Sequence, residues 1–233
     1  MSGLITSRDN EKLKLVRKLA TRREREKTGL FVGEGEDIVD AAQAAGVEPV
    51  ELLVAGETVE PKLLADVSQL GHPARVIGIF RRDDLPRAGA FGVGLGLWRV
   101  ADPGNVGTLI RTVDALGGSF IALSNGCADP TGPKAVRASM GALFRVPLLL
   151  FEDAPHPWVA LVPRGGEPLQ GIGAGTFVLG AERDGLAEDV VERCDARATI
   201  PLADGADSLN VAAAGAIALY ESKRVRPRQA SDP

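Results

Sequence analysis

The sequence predicts an α/β protein in which a small alternating α/β unit precedes a mostly parallel sheet covered by helices. Three observations carry this. Apolar strand-like runs alternate with segments whose apolar residues recur at helical spacing, as in βαβ units. The strand-like runs of the second part are apolar nearly throughout, the pattern of strands buried on both faces. Three polar, glycine-containing stretches, Asp102–Arg111 (DPGNVGTLIR), Val178–Leu186 (VLGAERDGL) and Ile200–Val211 (IPLADGADSLNV), stand where a strand-like run passes into a helix-like one. Strand-to-helix loops are where α/β proteins hold ligands, so the three read as one composite site.

The first element is a helix from Asn10 to Lys27, with Leu13, Val16 and Ala20 beside Leu15 and Leu19 on one side and a basic outer face on the other. A strand at Leu30–Val32 follows, then a helix from Glu36 to Ala45 closed by Gly46. Leu52–Ala55 and Arg75–Phe80 read as strands flanking a helix near Pro61–Gln69. This first domain spans residues 1–80. Arg81–Ala90 (RRDDLPRAGA) is charged, then Pro- and Gly-containing, and forms the linker. The second domain, residues 91–233, has strands at Gly92–Trp98, Ser119–Leu123, Thr176–Leu179 and Ala198–Pro201. Its helices are Val106–Leu116, Pro133–Leu143, Ala187–Cys194 and Leu209–Ser222. The last, LNVAAAGAIALYES, is apolar almost all round and rich in small residues, so burial partly against another subunit is expected. The tail from Lys223 is expected to fray.

Composition narrows the function. The net charge of −4 hides an asymmetry: residues 8–27 hold nine Lys or Arg against four acids, so that segment is +5 and the remainder −9. A basic patch on an acidic protein points to local attraction for a polyanion, although a solvated helix laced with ion pairs has the same look. Cys127 and Cys194 have no metal-ligand spacing and His72 and His156 are isolated, which leaves no material for a metal site. The first residues lack the apolar core of a signal peptide and no run reaches membrane-spanning length, so a cytoplasmic protein is expected. Gly94-Leu-Gly96 and Gly171-Ile-Gly173-Ala-Gly175 are not dinucleotide fingerprints, and both histidines sit outside every motif, which disfavours a nicotinamide-dependent oxidoreductase.

Taken singly, the three stretches have ordinary readings: Asp102-Pro-Gly-Asn105 a turn and capped helix, Ser208 an N-cap. Arg111 exceeds that reading, since an arginine about 1.7 turns beyond Asn105 is placed to clamp a phosphate. Taken in order, N-x-G-x-x-x-R, L-G-x-E-x-x-G-L and I-P-…-S-L-N-V-x-x-A resemble the three signature motifs of the SpoU/TrmH branch of the SPOUT RNA methyltransferases. The resemblance covers about Gly92 to Glu221, and PKAVRASMGALFRVP (Pro133–Pro147) resembles the connecting helix of that family. The N-terminal unit, with FVGEGEDIVDAA, resembles the small ribosomal-protein-like RNA-binding domain of many members. Two departures stand out: Arg183 follows Glu182 where many relatives have Gly, and Glu152–Gly175 is a Pro- and Gly-rich insert.

The resemblance implies a SPOUT-type domain with a deep trefoil knot, S-adenosylmethionine as methyl donor, an RNA ribose 2′-hydroxyl as acceptor, and a homodimer formed through the C-terminal domain. By motif matching, Leu179, Gly180, Ile200, Leu202 and Leu209 hold the cofactor, with Gly180 allowing the ligand close to the backbone. Arg111 grips the flanking phosphate and stabilises charge on the ribose oxygen. An arginine side chain is a poor base, so a phosphate or water takes the proton. Asn105 and Glu182 orient Arg111, and Ser208 and Asn210 fix substrate or cofactor. Arg8, Lys14, Arg17, Lys18, Arg22 and Arg23 supply phosphate contacts. Ribosomal RNA is favoured over transfer RNA by the N-terminal module; a transfer-RNA enzyme and a non-catalytic RNA-binding protein are the alternatives. Housekeeping and antibiotic-resistance methylation fit the domain plan equally.

Overall fold

The computed structural model describes residues 3–70, 74–87 and 92–224. His72, the end of the expected linker and the tail beyond residue 224 lie outside the described residues. The chain divides into two compact units: residues 1–86 with 129–145, and residues 87–128 with 146–233.

The first unit begins with two helices where one was expected, α1 (Glu11–Leu19) and α2 (Arg22–Thr28). The break is local chemistry. Asn10 caps α1 by accepting from the Lys12 N–H, and Thr21 starts a new helix by accepting from the Glu24 N–H. Arg25 turns inward at 4% exposure, and one of its guanidinium nitrogens donates to the Leu19 and Ala20 carbonyls that end α1. One of the nine bases expected on the outer face is therefore a buried structural group. The unit continues with β1 (Leu30–Glu34), α3 (Glu36–Ala44), β2 (Glu51–Val54), α4 (Pro61–Val67) and β3 (Val76–Arg81). The three strands form an antiparallel sheet in the order β1-β3-β2, with Val32 opposite Ile79 and Leu53 opposite Ile77.

Residues 129–145 belong to this unit although they lie far along the chain. Phe144 joins Phe31 and Phe80 in an aromatic cluster, with ring centroids 5.0–6.0 Å apart. Asp129 accepts from Arg25 (2.8 Å) and Arg82 (2.7 Å), and its other oxygen accepts from the Thr131 N–H and hydroxyl. Burial opposes ionisation of this carboxyl, but the Thr131 hydrogen bonds and the Arg82 and Arg25 guanidinium groups outweigh it and hold its pKa below the ordinary value.

The second unit, numbered on in chain order, contains β4 (Gly94–Leu97), α5 (Pro103–Ala115), β5 (Ile121–Leu123), β6 (Leu148–Leu150), β7 (Trp158–Leu161), β8 (Glu167–Pro168), β9 (Thr176–Leu179), α7 (Glu188–Glu192), β10 (Ala196–Thr199) and α8 (Val211–Arg224). Helix α6 (Pro133–Ser139) sits in the first unit, in the segment between β5 and β6. Every strand pairing is parallel, in the order β6-β5-β4-β9-β7-β10-β8. Within the expected insert, Trp158–Leu161 is a buried interior strand between β9 and β10. Helix α8 approaches α5 closely: a Cβ on Gly215 would stand 2.5 Å from Leu109 Cδ2 and 3.2 Å from the side chains of Leu95 and Leu179. Only a glycine allows that spacing.

Candidate active site

A parallel sheet brings the C-terminal ends of its strands to one edge. The loops after β4, β9 and β10 are the three motif-bearing stretches, and all leave that edge. The chain runs outward from β4 through β5 to β6, while β9, β7, β10 and β8 lie on its other side. The crevice between β4 and β9 is thus the point at which strand order switches, where open α/β sheets bind ligands.

A hydrogen-bond chain joins the three loops there. The Asp102 carboxylate caps α5, accepting from the N–H groups of Gly104 (2.6 Å) and Asn105 (3.2 Å). Pro103 occupies the first helical position, where a missing N–H is harmless. The Asn105 side chain donates to Glu182 at 2.9 Å, and the N–H groups of Ala101 and Asp102 donate to the same carboxylate at 3.3 and 3.2 Å. The Asn210 side chain donates to the Asn105 side-chain oxygen Oδ1 at 3.3 Å, while its own Oδ1 accepts from the Ala212 and Ala213 N–H groups and starts α8. Partial burial works against ionisation of Glu182, but the hydrogen bonds from Asn105, Asp102 and Ala101 prevail and lower its pKa.

Glu182 is held in place by its own loop. Ala181 and Gly185 bridge each other in both directions, folding the stretch back on itself. A Cβ on Gly180 would lie 2.1–2.3 Å from the backbone of Gly185 and Leu186. The glycine expected to admit a ligand is required first by its own loop.

Asn105, Glu182 and Asn210 are therefore together. Arg111 is not part of their network: its guanidinium has no hydrogen bond among the described residues. Six residues along α5 place it about 9 Å further and about 120° around the helix from Asn105. The expected orientation of Arg111 by Asn105 and Glu182 is thus absent, because both groups are occupied by one another, by Asn210 and by backbone. Ser208 is exposed, and the cap of α8 is Asn210. Of the apolar positions, Leu179 is buried, Ile200 and Leu202 are half-buried, and Leu209 is 41% exposed. In the first unit, Arg8 pairs with Asp66, Lys14 with Glu11 and Arg22 with Glu26, and Arg17 donates to the Arg8 carbonyl. Lys18 and Arg23 are exposed and have no ion pair among the described residues.

Beside Glu182 lies an open cavity of about 510 Å³, with Trp98, Arg99 and Arg183 in its wall. Trp98, expected as the last residue of a strand, and Arg99 lie outside the three motifs; their one local signal is their place just before the DPGN turn. Cysteine chemistry has no support here, since burial raises the pKa of Cys127, and burial with the Asp195 charge pushes Cys194 up to about 11. Among the described residues no cluster of three metal-ligating side chains occurs, and no helix is long and apolar enough to cross a membrane.

Comparison with known proteins agrees with this architecture. The model of the SpoU rRNA Methylase family matches residues 92–220, and that of the MRM3-like substrate binding domain matches residues 10–79. The Bacillus subtilis 23S rRNA (guanosine(2553)-2′-O)-methyltransferase RlmP is 32% identical over 93% of this chain and 97% of its own length. The 23S rRNA (uridine(2479)-2′-O)-methyltransferase of Streptomyces viridochromogenes is 31% identical over 74% of this chain and 69% of its own. The AdoMet-bound rRNA methyltransferase of Sinorhizobium meliloti superposes with a TM-score of 0.83 at 30% identity, covering 95% of this chain and 97% of that one. The SpoU methyltransferase AviRb of S. viridochromogenes, in complex with AdoMet, gives a TM-score of 0.79 at 25% identity over 93% and 98% of the two chains. With its three motifs at one sheet edge and more than half its length matched, the chain belongs to the SpoU rRNA methylase family.

Proposed function

We propose that this protein transfers the methyl group of S-adenosylmethionine to a ribose 2′-hydroxyl of ribosomal RNA. The observation that carries the reading is the Glu182–Asn105–Asn210 chain, which locks all three motif loops together at the switch point of the sheet. Relatives named for this chemistry cover nearly the whole chain and support ribosomal RNA as the substrate class. The residues present fit the cofactor. Ile200, Leu202 and the exposed Leu209 offer an apolar face to an adenine on the loop after β10, and Leu179–Gly180 stand at the end of β9 on the same sheet edge.

When bound, S-adenosylmethionine supplies a sulfonium-activated methyl group. The protein's own contribution is position and charge. Glu182, ionised and saturated by three N–H donors, serves as a brace rather than a base. Asn105 and Asn210 transmit that brace to the starts of α5 and α8. Arg111 is exposed, its fork available to an RNA phosphate and to charge developing on the ribose oxygen. The proton passes to phosphate or water. Ser208, exposed on the third loop, orients substrate or cofactor.

The exposed Lys18 and Arg23, with Arg8, Lys14, Arg17 and Arg22 around them, form the phosphate-contacting face of the first unit. Family membership supports a trefoil knot formed by the segments that carry the second and third motifs, β9 to α8 of the second unit. Tyr220, 57% exposed on α8, marks the face offered to a second copy in a homodimer. The cytoplasm is the expected compartment, since the proposed substrate is ribosomal RNA. Transfer of labelled methyl from S-adenosylmethionine to an unmodified large-subunit ribosomal RNA transcript tests the proposal. Incorporation is expected; its absence, with no S-adenosylmethionine binding by calorimetry, would leave a non-catalytic RNA-binding protein.

A further inference from the structure

The cavity beside Glu182 is not accounted for by the methyl-transfer network. Its volume of about 510 Å³ lies within the ~300–1,000 Å³ of small-molecule sites. Arg99 and Arg183 line it, and neither has an ion pair among the described residues. Of the carboxylates in its wall, Asp102 caps α5 and Glu182 accepts from three N–H groups, and Asp184 has no ion pair among the described residues.

Arg99 is held there in an unfavourable backbone conformation. Its φ is +55°, a region where a residue with a side chain is uncommon and where strain gathers at functional sites. Its N–H donates to the Ser124 hydroxyl at 2.9 Å, and its side chain lies over Gly126, with Cγ 3.4 Å from where a Cβ of that glycine would stand. Arg183 projects from the loop that the Ala181–Gly185 bridge fixes, directly after Glu182. Half-buried Trp98, edge-on to Phe151 at 5.2 Å, adds an apolar wall. Two open cationic forks beside an aromatic wall suit a phosphodiester with a flat base attached.

We propose that Arg99 and Arg183 bind the RNA phosphodiester adjoining the methylated ribose, the cavity receiving that flanking nucleotide. This rests on the methyltransferase reading above. Arg99 and Arg183 are positioning residues in this assignment.

The test uses the full chain and an unmodified large-subunit ribosomal RNA transcript. Arg99→Gly and Arg183→Ala are compared with wild type for RNA affinity across a salt series, for KM and kcat, and for S-adenosylmethionine affinity by calorimetry. Glycine adopts the backbone of Arg99 without strain, so that variant keeps the fold. Each variant is expected to bind RNA about tenfold more weakly and to flatten the log-affinity against log-salt slope by about 0.7, the value for one lost single-strand phosphate contact. KM rises more than kcat falls, cofactor affinity is unchanged, and Arg183→Lys recovers part of the loss. Wild-type RNA affinity and slope in both variants would overturn the inference while a methylating wild type kept the function. Loss of S-adenosylmethionine affinity with RNA binding intact would assign the cavity to the cofactor. A wild type that neither binds nor methylates the transcript would remove the function and this inference with it.

Discussion

Gly180→Ala is a small change with a calculable consequence. The added methyl would stand 2.1 Å from the Gly185 carbonyl carbon, 2.3 Å from its oxygen and 2.3 Å from the Leu186 nitrogen. These are backbone atoms and cannot rotate aside. Restoring an ordinary contact of 3.4 Å requires the loop to move by about 1.3 Å. A movement of that size in the wrong direction takes Glu182 out of hydrogen-bond range of Asn105, now 2.9 Å away. Overpacking of this kind costs about 1–3 kcal/mol, or a fall in Tm of about 2–12 °C for a chain of this length. A misplacement of about 1 Å at a catalytic constellation costs about a hundredfold in rate. Thermal unfolding and methyl transfer to ribosomal RNA measure the two effects on one sample. Gly173→Ala, where an added Cβ meets nothing, is the control and leaves both unchanged. Gly180→Ala with wild-type Tm and wild-type kcat would refute the view that this loop's fold positions Glu182.

Three further outcomes are expected. Asp129→Ala leaves Arg25 buried without its counter-charge and destabilises the first unit by about 3–5 kcal/mol, read as a lowered Tm. Because the folded-state pKa of Asp129 is depressed, its stabilisation is complete above the unfolded value of about 3.9 and disappears as pH falls through the folded one. Asp129→Asn therefore shows less acid-dependent loss below about pH 4 than wild type, and an unchanged acid profile by circular dichroism would contradict this. Arg111→Ala lowers kcat by about 100–1,000-fold with cofactor affinity intact, and full activity in Arg111→Lys would show the planar fork to be unnecessary. Reversing Lys18 and Arg23 to Glu weakens RNA binding and its salt dependence without moving Tm, since neither has an ion pair to lose among the described residues; unchanged binding would remove α1 and α2 from the RNA face.

Where the chain signals its structure locally, sequence and fold coincide. Thr176–Leu179 is a β-branched and apolar run between glycines and is a strand over those same residues. Trp158–Leu161 is the same length and apolar throughout, yet Pro155, Pro157 and Pro163 around it give it the look of the Pro- and Gly-rich insert in which it lies. The basic first helix hid its break because Thr21 and Arg25 look like two more polar surface positions until Arg25 is seen at the end of α1. The salt bridge from Arg25 to Asp129 joins positions 104 residues apart, which no window on the sequence detects. At the site, motif order grouped Asn105 and Glu182 with Arg111, and Asn210 with Ser208; in the structure Asn105, Glu182 and Asn210 bond one another instead. That depends on the Ala101–Asp102 backbone folding over Glu182, a tertiary event without a local mark.

The most direct test of the central reading is site-resolved methylation, with purified protein, S-adenosylmethionine and unmodified ribosomal and transfer RNA assayed side by side and then cleaved with alkali. A ribose bearing a 2′-O-methyl group cannot be cleaved at its 3′ phosphodiester. The expected result is one alkali-resistant position in ribosomal RNA and none in transfer RNA, lost in Arg111→Ala. Protection in transfer RNA alone would overturn the substrate class, and incorporated label that leaves every linkage alkali-labile would contradict ribose methylation itself.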